Sequence, residues 1–176
     1  MLLVLDAAGD RCAAALFAGD APVAWRDEAM TRGHAERLMP MIAEVFEEAA
    51  ASPRALDAIV VCTGPGSFAG ARIGVAAARG LALSTGAAAI GVSWFDALGA
   101  RTAGAVLVRL AHGQGVAIQR FRDRAAVSAA RLVSADDPAA EPAADERLDA
   151  GAEARGGVAR LGLLAAAARQ RAADGA

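Results

Sequence analysis

The chain has 176 residues, of which 56% are hydrophobic, and its formal net charge at pH 7 is −2. This length suits one domain or two small lobes and is enough to build a real core. The near-neutral balance excludes a global basic field that would attract RNA, although all 18 basic residues are arginines.

Three strands joined by short glycine–aspartate turns are predicted at the start of the chain. They cover residues 1–7, 11–18 and 23–29. Residues that alternate along a strand point to opposite faces of the sheet, so Val23 and Trp25 lie opposite Ala24. Strands this close in sequence favour an antiparallel meander.

A long helix is predicted next, over residues 32–51. Its apolar residues recur at helical spacing and form one stripe, which consists of Leu38, Met41, Ile42, Val45, Phe46 and Ala49. Pro40 lacks an N–H and its ring crowds the preceding turn, so a kink or a restart of the helix is expected there.

A glycine turn then joins a buried strand at residues 58–62 to a helix at residues 68–85. Gly64 and Gly66 allow backbone angles that other residues avoid, and Ser67 is expected to cap the helix by accepting a backbone N–H. One helix face lacks large side chains because every fourth residue is small: Gly66, Gly70, Gly74 and Ala78. Such a face lets another backbone, from a partner or from the chain's own sheet, approach closely.

The chemistry of the glycine turn leaves two interpretations open. A glycine turn at a helix N-terminus can hold a phosphate, because free N–H groups and the helix dipole favour an anion. The alternative, which the residues favour, is a tight turn followed by a closely packed helix. The turn is not a Walker A loop, because the chain has no lysine, and its glycines are spaced GxGxxxG rather than GxGxxG as in dinucleotide-binding proteins.

A short strand at residues 87–91 and a helix that follows Ser93 and ends near residue 102 complete the first half of the chain. The predicted order of elements is therefore βββαβαβα. A hairpin-led sheet that continues through βαβ units predicts an α/β fold with a mixed sheet of the ribonuclease-H type.

The second half of the chain gives weaker signals. Strands are predicted over residues 105–111, 116–121 and 127–133, a loop rich in proline and acid over 136–149, and an amphipathic helix over 158–173.

The stretch from Gly64 to Gly74 resembles the GPGSFTGxRIG signature of the bacterial TsaB (YeaZ) family, with Ala69 where threonine is usual. Three further stretches resemble the family's first strand, its first helix and the strand after the signature, namely residues 5–8, 32–40 and 90–93. The resemblance covers residues 1–103 well and the remainder poorly.

This resemblance implies a fold and a division of the chain. TsaB proteins have the actin/Hsp70/sugar-kinase (ASKHA) fold, which is a ribonuclease-H-like mixed sheet with flanking helices. By this resemblance, residues 1–104 form an N-terminal ribonuclease-H-like lobe, and residues 105–176 form a shortened C-terminal lobe.

The resemblance also implies a function. TsaB proteins are non-catalytic partners of TsaD in making threonylcarbamoyladenosine at adenosine 37 of tRNA, so we expect a scaffold subunit and inactive paralogue that binds and activates TsaD. It further implies a TsaE-like ATPase reached through the complex, a homodimer when TsaD is absent, and only indirect contact with tRNA. Two alternatives stay open: an ATP-binding phosphotransferase or ATPase of the same fold, and an orphan homodimer.

The expected interface lies on the two long helices, which would pack against the matching pair in TsaD. The apolar stripe and the small helix face supply the expected contact residues, which are Leu38, Met41, Ile42, Val45, Gly70, Gly74 and Ala78. Arg72 and Arg79 lie near one face of the second helix. They either meet acidic groups on a partner or a bound nucleotide, or they are solvated arginines that flank an apolar stripe.

The candidate remnants of a nucleotide loop are Asp6, Gly64, Gly66 and Ser67. By analogy with sugar kinases, Asp6 ends the first strand where a carboxylate commonly faces the magnesium and phosphates of ATP. The alternative is a turn residue that bonds the backbone of Gly9 or Asp10. The turn residue is the favoured interpretation, because the hydroxyl side chain that usually follows such an aspartate is missing: Ala7 and Ala8 follow Asp6 here.

The family's second phosphate loop, D-A-R-x-G-E-V-Y, is largely missing from this sequence. At the matching positions Arg109 replaces the acid, Ala111 replaces the arginine, and Gly113 is kept. Arg109 can bind an anion but cannot hold a metal. We therefore expect no tightly bound cofactor, and ATP or ADP at a partner interface stays open.

No metal site or membrane segment is predicted. TsaD has two metal-binding histidines one helical turn apart, but the residue four positions after His34 is Leu38. His112 is expected to face solvent, and Cys12 and Cys62 are expected to be small core residues. No positively charged region precedes an apolar N-terminal stretch, and no run is long enough to span a bilayer, so a cytoplasmic protein is expected.

Overall fold

The structure is a computed structural model that describes residues 1–113, 115–149 and 157–173. The chain divides into two compact units. The first unit combines Met1–Ser93 with Gly156–Ala176, and the second unit is Trp94–Arg155.

A five-stranded mixed sheet forms the centre of the first unit. Its strands are β1 (Leu2–Asp6), β2 (Arg11–Ala18), β3 (Ala21–Ala29), β4 (Ala58–Cys62) and β5 (Ala88–Val92), in the order β3-β2-β1-β4-β5. Strands β1 to β3 pair antiparallel, whereas β4 and β5 continue the sheet parallel to β1. This arrangement confirms the predicted α/β class with a hairpin-led mixed sheet.

Two helices cover one face of this sheet. Helix α1 (His34–Glu48) and helix α2 (Phe68–Thr85) pack on strands β1 to β4 through a shared hydrophobic core. Of the two outcomes expected at Pro40, a kink or a restart, the restart is wrong, because α1 runs through Pro40 as one continuous helix. Helix α1 also begins two residues later than predicted, after Gly33 adopts a left-handed conformation with φ of 83°.

The residues of α1 that were expected to contact a partner lie inside this core. Leu38, Met41, Ile42 and Val45 are all buried among residues of the chain's own sheet and helices. The expectation of an interface there is therefore corrected. A 3.6-residue period shows that one helix face will be buried, but it does not show which surface will cover it.

The small face of α2 is internal as well, which corrects the second half of the expected interface. A Cβ atom added at Gly70 would lie 2.1 Å from the carbonyl oxygen of Ala7, and one added at Gly74 would lie 3.2 Å from a methyl group of Val61. Ala78 is fully buried in the same core. The close backbone approach therefore comes from Ala7, directly after β1, and a side chain of β4 packs against Gly74.

The second unit consists of one short helix and an antiparallel hairpin with short edge strands. Its elements are α3 (Trp94–Gly99), β6 (Ala105–His112), β7 (Gly115–Arg122), β8 (Ala125–Ala126), β9 (Arg131–Ser134) and β10 (Arg147–Asp149). The sheet order is β10-β6-β7-β8, and β9 also pairs with β7. The predicted strand over 127–133 overlaps only β9, because residues 127–130 are not a strand and β8 lies before them. The predicted loop over 136–149 includes a 3-10 turn and β10.

The C-terminal helix α4 (Gly157–Ala173) belongs to the first unit, not to the lobe that follows residue 104. It contacts all five strands of the first sheet and buries Leu161 and Leu164 there. The observed division therefore differs from the predicted boundary, because an amphipathic pattern does not identify the sheet on which a helix packs. Among the described helices, none is both long and apolar enough to cross a bilayer.

Candidate functional site

The carboxyl ends of the parallel strands β1, β4 and β5 meet at one edge of the first sheet. In open α/β sheets this edge is the usual place for a ligand. Asp6 ends β1, Cys62 ends β4, and the turn from Gly64 to Ser67 follows β4. The fold thus brings together the four residues that were candidate remnants of a nucleotide loop.

Asp6 is buried, and groups of its own chain hold its carboxylate. Its Oδ1 accepts a hydrogen bond from the backbone N–H of Ala8 at 2.9 Å. Its Oδ2 forms an ion pair with Nη2 of Arg160 on α4, and the Arg160 side chain is only 3% exposed. The expected bond from Asp6 to Gly9 or Asp10 is therefore corrected to Ala8, which is the same kind of aspartate-stabilised turn.

Ala8, whose N–H is bonded to Asp6, also contacts the glycine turn through its carbonyl oxygen. The backbone N–H of Ser67 donates to the carbonyl oxygen of Ala8 at 2.5 Å. A Cβ atom at Gly66 would lie 2.0 Å from that same oxygen, so only glycine fits there. Ser67 has the predicted capping role, because its Oγ accepts from the N–H of Gly70 at 3.2 Å.

These contacts do not fit a magnesium-bound nucleotide held as sugar kinases hold it. Magnesium sites of this kind use one or two carboxylates together with the substrate phosphates. Here the carboxylate of Asp6 is engaged by the cation of Arg160 and by Ala8, and the neighbouring Ala7 supplies no hydroxyl. The backbone N–H of Ser67, at the helix N-terminus, is already bonded to the carbonyl oxygen of Ala8.

The two cysteines are free, buried thiols, as the sequence predicted. Burial raises the pKa of Cys12 to about 11, with a further contribution from the negative charge of Glu28. Burial also raises the pKa of Cys62, whose Sγ accepts from the N–H of Gly64 at 3.4 Å. Both thiols are therefore protonated at neutral pH and are not activated nucleophiles.

The histidines lie far apart in the sequence and in different units. His34 is the first residue of α1 and is buried, and its Nε2 has no hydrogen-bond partner within the described part of the chain. His112 ends β6 and is half-buried, which corrects the expectation of a solvent-facing side chain. Among the described residues, no group of three or more histidine, cysteine or acidic side chains could hold a metal ion.

Arg109 is engaged within the second unit. Its Nη1 lies 3.4 Å from an Oε1 of Glu141, and its Nη2 donates to the carbonyl oxygen of Ala135 at 3.3 Å. The guanidinium that replaces the family's acid is thus already paired with an acid and a carbonyl. Gln114, in the same stretch, lies outside the described residues.

The solvent-facing side of α2 carries an exposed surface of which the sequence analysis singled out only Arg72 and Arg79. We call it the outer face of α2, and it consists of Phe68, Arg72, Ala76, Arg79 and Leu83. The Phe68 side chain is 72% exposed and that of Leu83 is 90% exposed. Arg72 is exposed, and its guanidinium lies 4.1 Å from the centre of the Phe68 ring.

Comparisons with known proteins agree on a family. The family model described as "TsaD: tRNA N6-adenosine threonylcarbamoyltransferase" matches residues 27–146, which is more than half of the chain. The Escherichia coli "tRNA threonylcarbamoyladenosine biosynthesis protein TsaB" is 37% identical over 92 residues, which cover 52% of this chain and 39% of that protein. The Haemophilus influenzae protein of the same name is 34% identical over 98 residues, which cover 55% of this chain and 41% of that protein.

Solved structures extend the likeness beyond the N-terminal half. A Pseudomonas aeruginosa protein, described as an uncharacterized protein with similarity to peptidase YEAZ, superposes with a TM-score of 0.74 at 25% identity. That match covers 99% of this chain and 92% of the other, whereas the chain spans about two fifths of the E. coli and H. influenzae relatives. The predicted ribonuclease-H-like, ASKHA-type fold is confirmed, and the chain belongs to the TsaB/YeaZ family.

Proposed function

We propose that this chain is a non-catalytic scaffold subunit of the machinery that makes threonylcarbamoyladenosine in tRNA, and that it binds and activates TsaD. The observation that carries the proposal is the outer face of α2, where Phe68 and Leu83 expose large apolar side chains. Large exposed apolar groups that share one helix face are typical of protein interaction sites. A TsaD protein is the occupant to which the proposal commits.

The family supports this choice of partner. Its E. coli and H. influenzae members are named as tRNA threonylcarbamoyladenosine biosynthesis proteins. The family model that matches this chain is that of the threonylcarbamoyltransferase itself, so the chain and its partner share a fold. Subunits of one fold can pair through corresponding faces, in the way that identical subunits pair about a two-fold axis. The same reasoning gives a homodimer through α2 when TsaD is absent.

The contacts at the carboxyl ends of β1 and β4 support a role without catalysis. Asp6 is paired with Arg160, and both thiols have raised pKa values, so neither a metal-holding carboxylate nor an activated nucleophile is present at that edge. In this proposal TsaD carries the chemistry and contacts the tRNA, and a TsaE-like ATPase joins through the complex. ATP or ADP then binds at the partner interface rather than at Asp6. The site of action is the cytoplasm, where tRNA is modified.

The test is binding of purified TsaD to the wild type, to Leu83→Glu and to Leu132→Glu. Leu132 is 62% exposed on β9 of the second unit, so Leu132→Glu places the same substitution on an exposed leucine outside α2 and serves as the matched control. We expect Leu83→Glu to raise the Kd for TsaD about tenfold or more, because a charge then faces an apolar partner surface. Titration calorimetry measures the Kd. Equal affinities for the two variants, or no binding by the wild type, would refute the proposal.

A further inference from the structure

A continuous series of contacts connects Arg160 on the C-terminal helix with the first turn of α2. Arg160 pairs with Asp6, and Asp6 accepts from the N–H of Ala8. The carbonyl oxygen of Ala8 accepts from the N–H of Ser67, and Ser67 in turn caps α2 at Gly70. Every step is a hydrogen bond or an ion pair between atoms of the first unit.

This series passes from one face of the sheet to the other. Leu5 and Ala7 belong to the core beneath α1 and α2. Since alternate residues of a strand point to opposite faces, Asp6 points to the face where Arg160 of α4 meets it. The series therefore goes round the carboxyl end of β1 and joins α4, on one face, to the start of α2 on the other.

The contacts between residues 7 and 8 and the start of α2 leave little room for one backbone to move against the other. The missing Cβ atoms of Gly66 and Gly70 would lie 2.0 Å and 2.1 Å from the carbonyl oxygens of Ala8 and Ala7. Backbone packed this closely moves together, because neither glycine has a side chain that could adjust to a shift. A displacement of residues 7 and 8 is thus passed on to the first turn of α2, which carries Phe68 and Arg72 of the outer face.

We propose that Arg160 is a positioning residue for TsaD binding: through Asp6 and Ala8 it fixes the first turn of α2 and so the outer face of that helix. The inference rests on the proposed function in one respect: the affinity for TsaD reports on the outer face only if TsaD docks there. The inference adds that α4, which packs on the opposite face of the sheet, controls the affinity of the outer face of α2 for TsaD.

Arg160→Gln is the variant that tests this role, and Arg169→Gln is its control. Arg169 lies on the same helix but pairs with Asp20 at the exposed β2–β3 turn, away from the series. We expect Arg160→Gln to raise the Kd for purified TsaD about tenfold and to speed hydrogen exchange at the Ser67 and Gly70 amides to a similar degree. Amides of β2 should exchange at their wild-type rates in both variants.

A second variant separates positioning from mere stability. Arg160→Gln leaves the carboxylate of Asp6 buried without its cation, which by itself destabilises a fold. The double variant Asp6→Asn/Arg160→Gln removes that charge, and the asparagine oxygen can still accept from the N–H of Ala8. We expect the double variant to fold even where the single one does not, and still to bind TsaD more weakly and to exchange faster at Ser67 than the wild type, because Arg160 no longer holds residue 6.

The outcomes distinguish this inference from the proposed function. Unchanged exchange at Ser67 and Gly70 in folded Arg160→Gln overturns the inference, as does a double variant that folds and exchanges there at the wild-type rate. A wild type that does not bind TsaD, with exchange still responding to Arg160→Gln, refutes the proposed function and leaves the positioning role standing.

Discussion

Gly70 and Gly80 lie on the same helix but in opposite surroundings, which gives a sharp prediction for single residues. A Cβ atom at Gly70 would lie 2.1 Å from a backbone oxygen, whereas one at Gly80 would have nothing within 4 Å. We expect Gly70→Ala to lower the free energy of unfolding by about 1–3 kcal/mol through overpacking. Gly80→Ala should raise it by roughly 0.5–1 kcal/mol, because alanine favours a helix interior. Urea unfolding measures both changes, and equal changes would contradict the internal placement of the small face.

At the residue scale the sequence located the site but not its main contact. Ser67 could be predicted as a cap because it stands between a glycine turn and an apolar helix. Asp6 could be singled out because it ends the first strand. Arg160 could not be linked to Asp6, since the two are separated by 154 positions and nothing in the helix pattern marks one arginine as buried.

At the scale of elements, the sequence predicted the strongly periodic segments well, but it did not predict the surfaces on which they pack. The bounds of β2, β4 and α2 match the predicted ranges, because each segment is flanked by turn residues. The buried stripe of α1 and the small face of α2 were assigned to a partner, although they pack on the chain's own sheet. Periodicity identifies the face that avoids water, whereas only the tertiary fold identifies what covers it.

An ion-pair network joins α1 to β3 and makes part of the stability depend on pH. Arg37 donates from Nε to Glu28 at 2.8 Å and from Nη1 to Glu44 at 2.6 Å. These bonds hold the pKa of both carboxyls below their usual values. A carboxyl with a lowered folded-state pKa stabilises the fold above its unfolded pKa, and this contribution is lost as the pH falls through the folded value.

We therefore expect the difference in stability between the wild type and Arg37→Gln to be largest near neutral pH and to shrink below about pH 4.3, the usual glutamate pKa. Urea midpoints measured from pH 7 down to pH 3 test this. Arg54→Gln is the control, because the Arg54 side chain is exposed and its effect should not vary with pH. A difference for Arg37→Gln that stays constant over the whole range would rule out the network as the cause.

For the whole molecule, the C-terminal helix changes how the chain is divided. A simple split at residue 104 follows the order of elements along the sequence, but α4 returns to the first sheet and closes its second face. The short strands β8 and β10 have two and three residues, too few for a clear alternating pattern, so the second unit was predicted less well than the first.

The last prediction concerns what the whole protein does with ATP and with TsaD. Asp6 is neutralised by Arg160, and the thiols are protonated, so the isolated chain should hydrolyse ATP no faster than Asp6→Asn does. Added to TsaD and the other components of threonylcarbamoyladenosine synthesis, the wild type should raise product formation, whereas Leu83→Glu should not. Phosphate release and modified-nucleoside analysis measure the two activities. An ATP turnover that survives repurification and disappears in a folded Asp6→Asn variant would show that the chain is an enzyme in its own right.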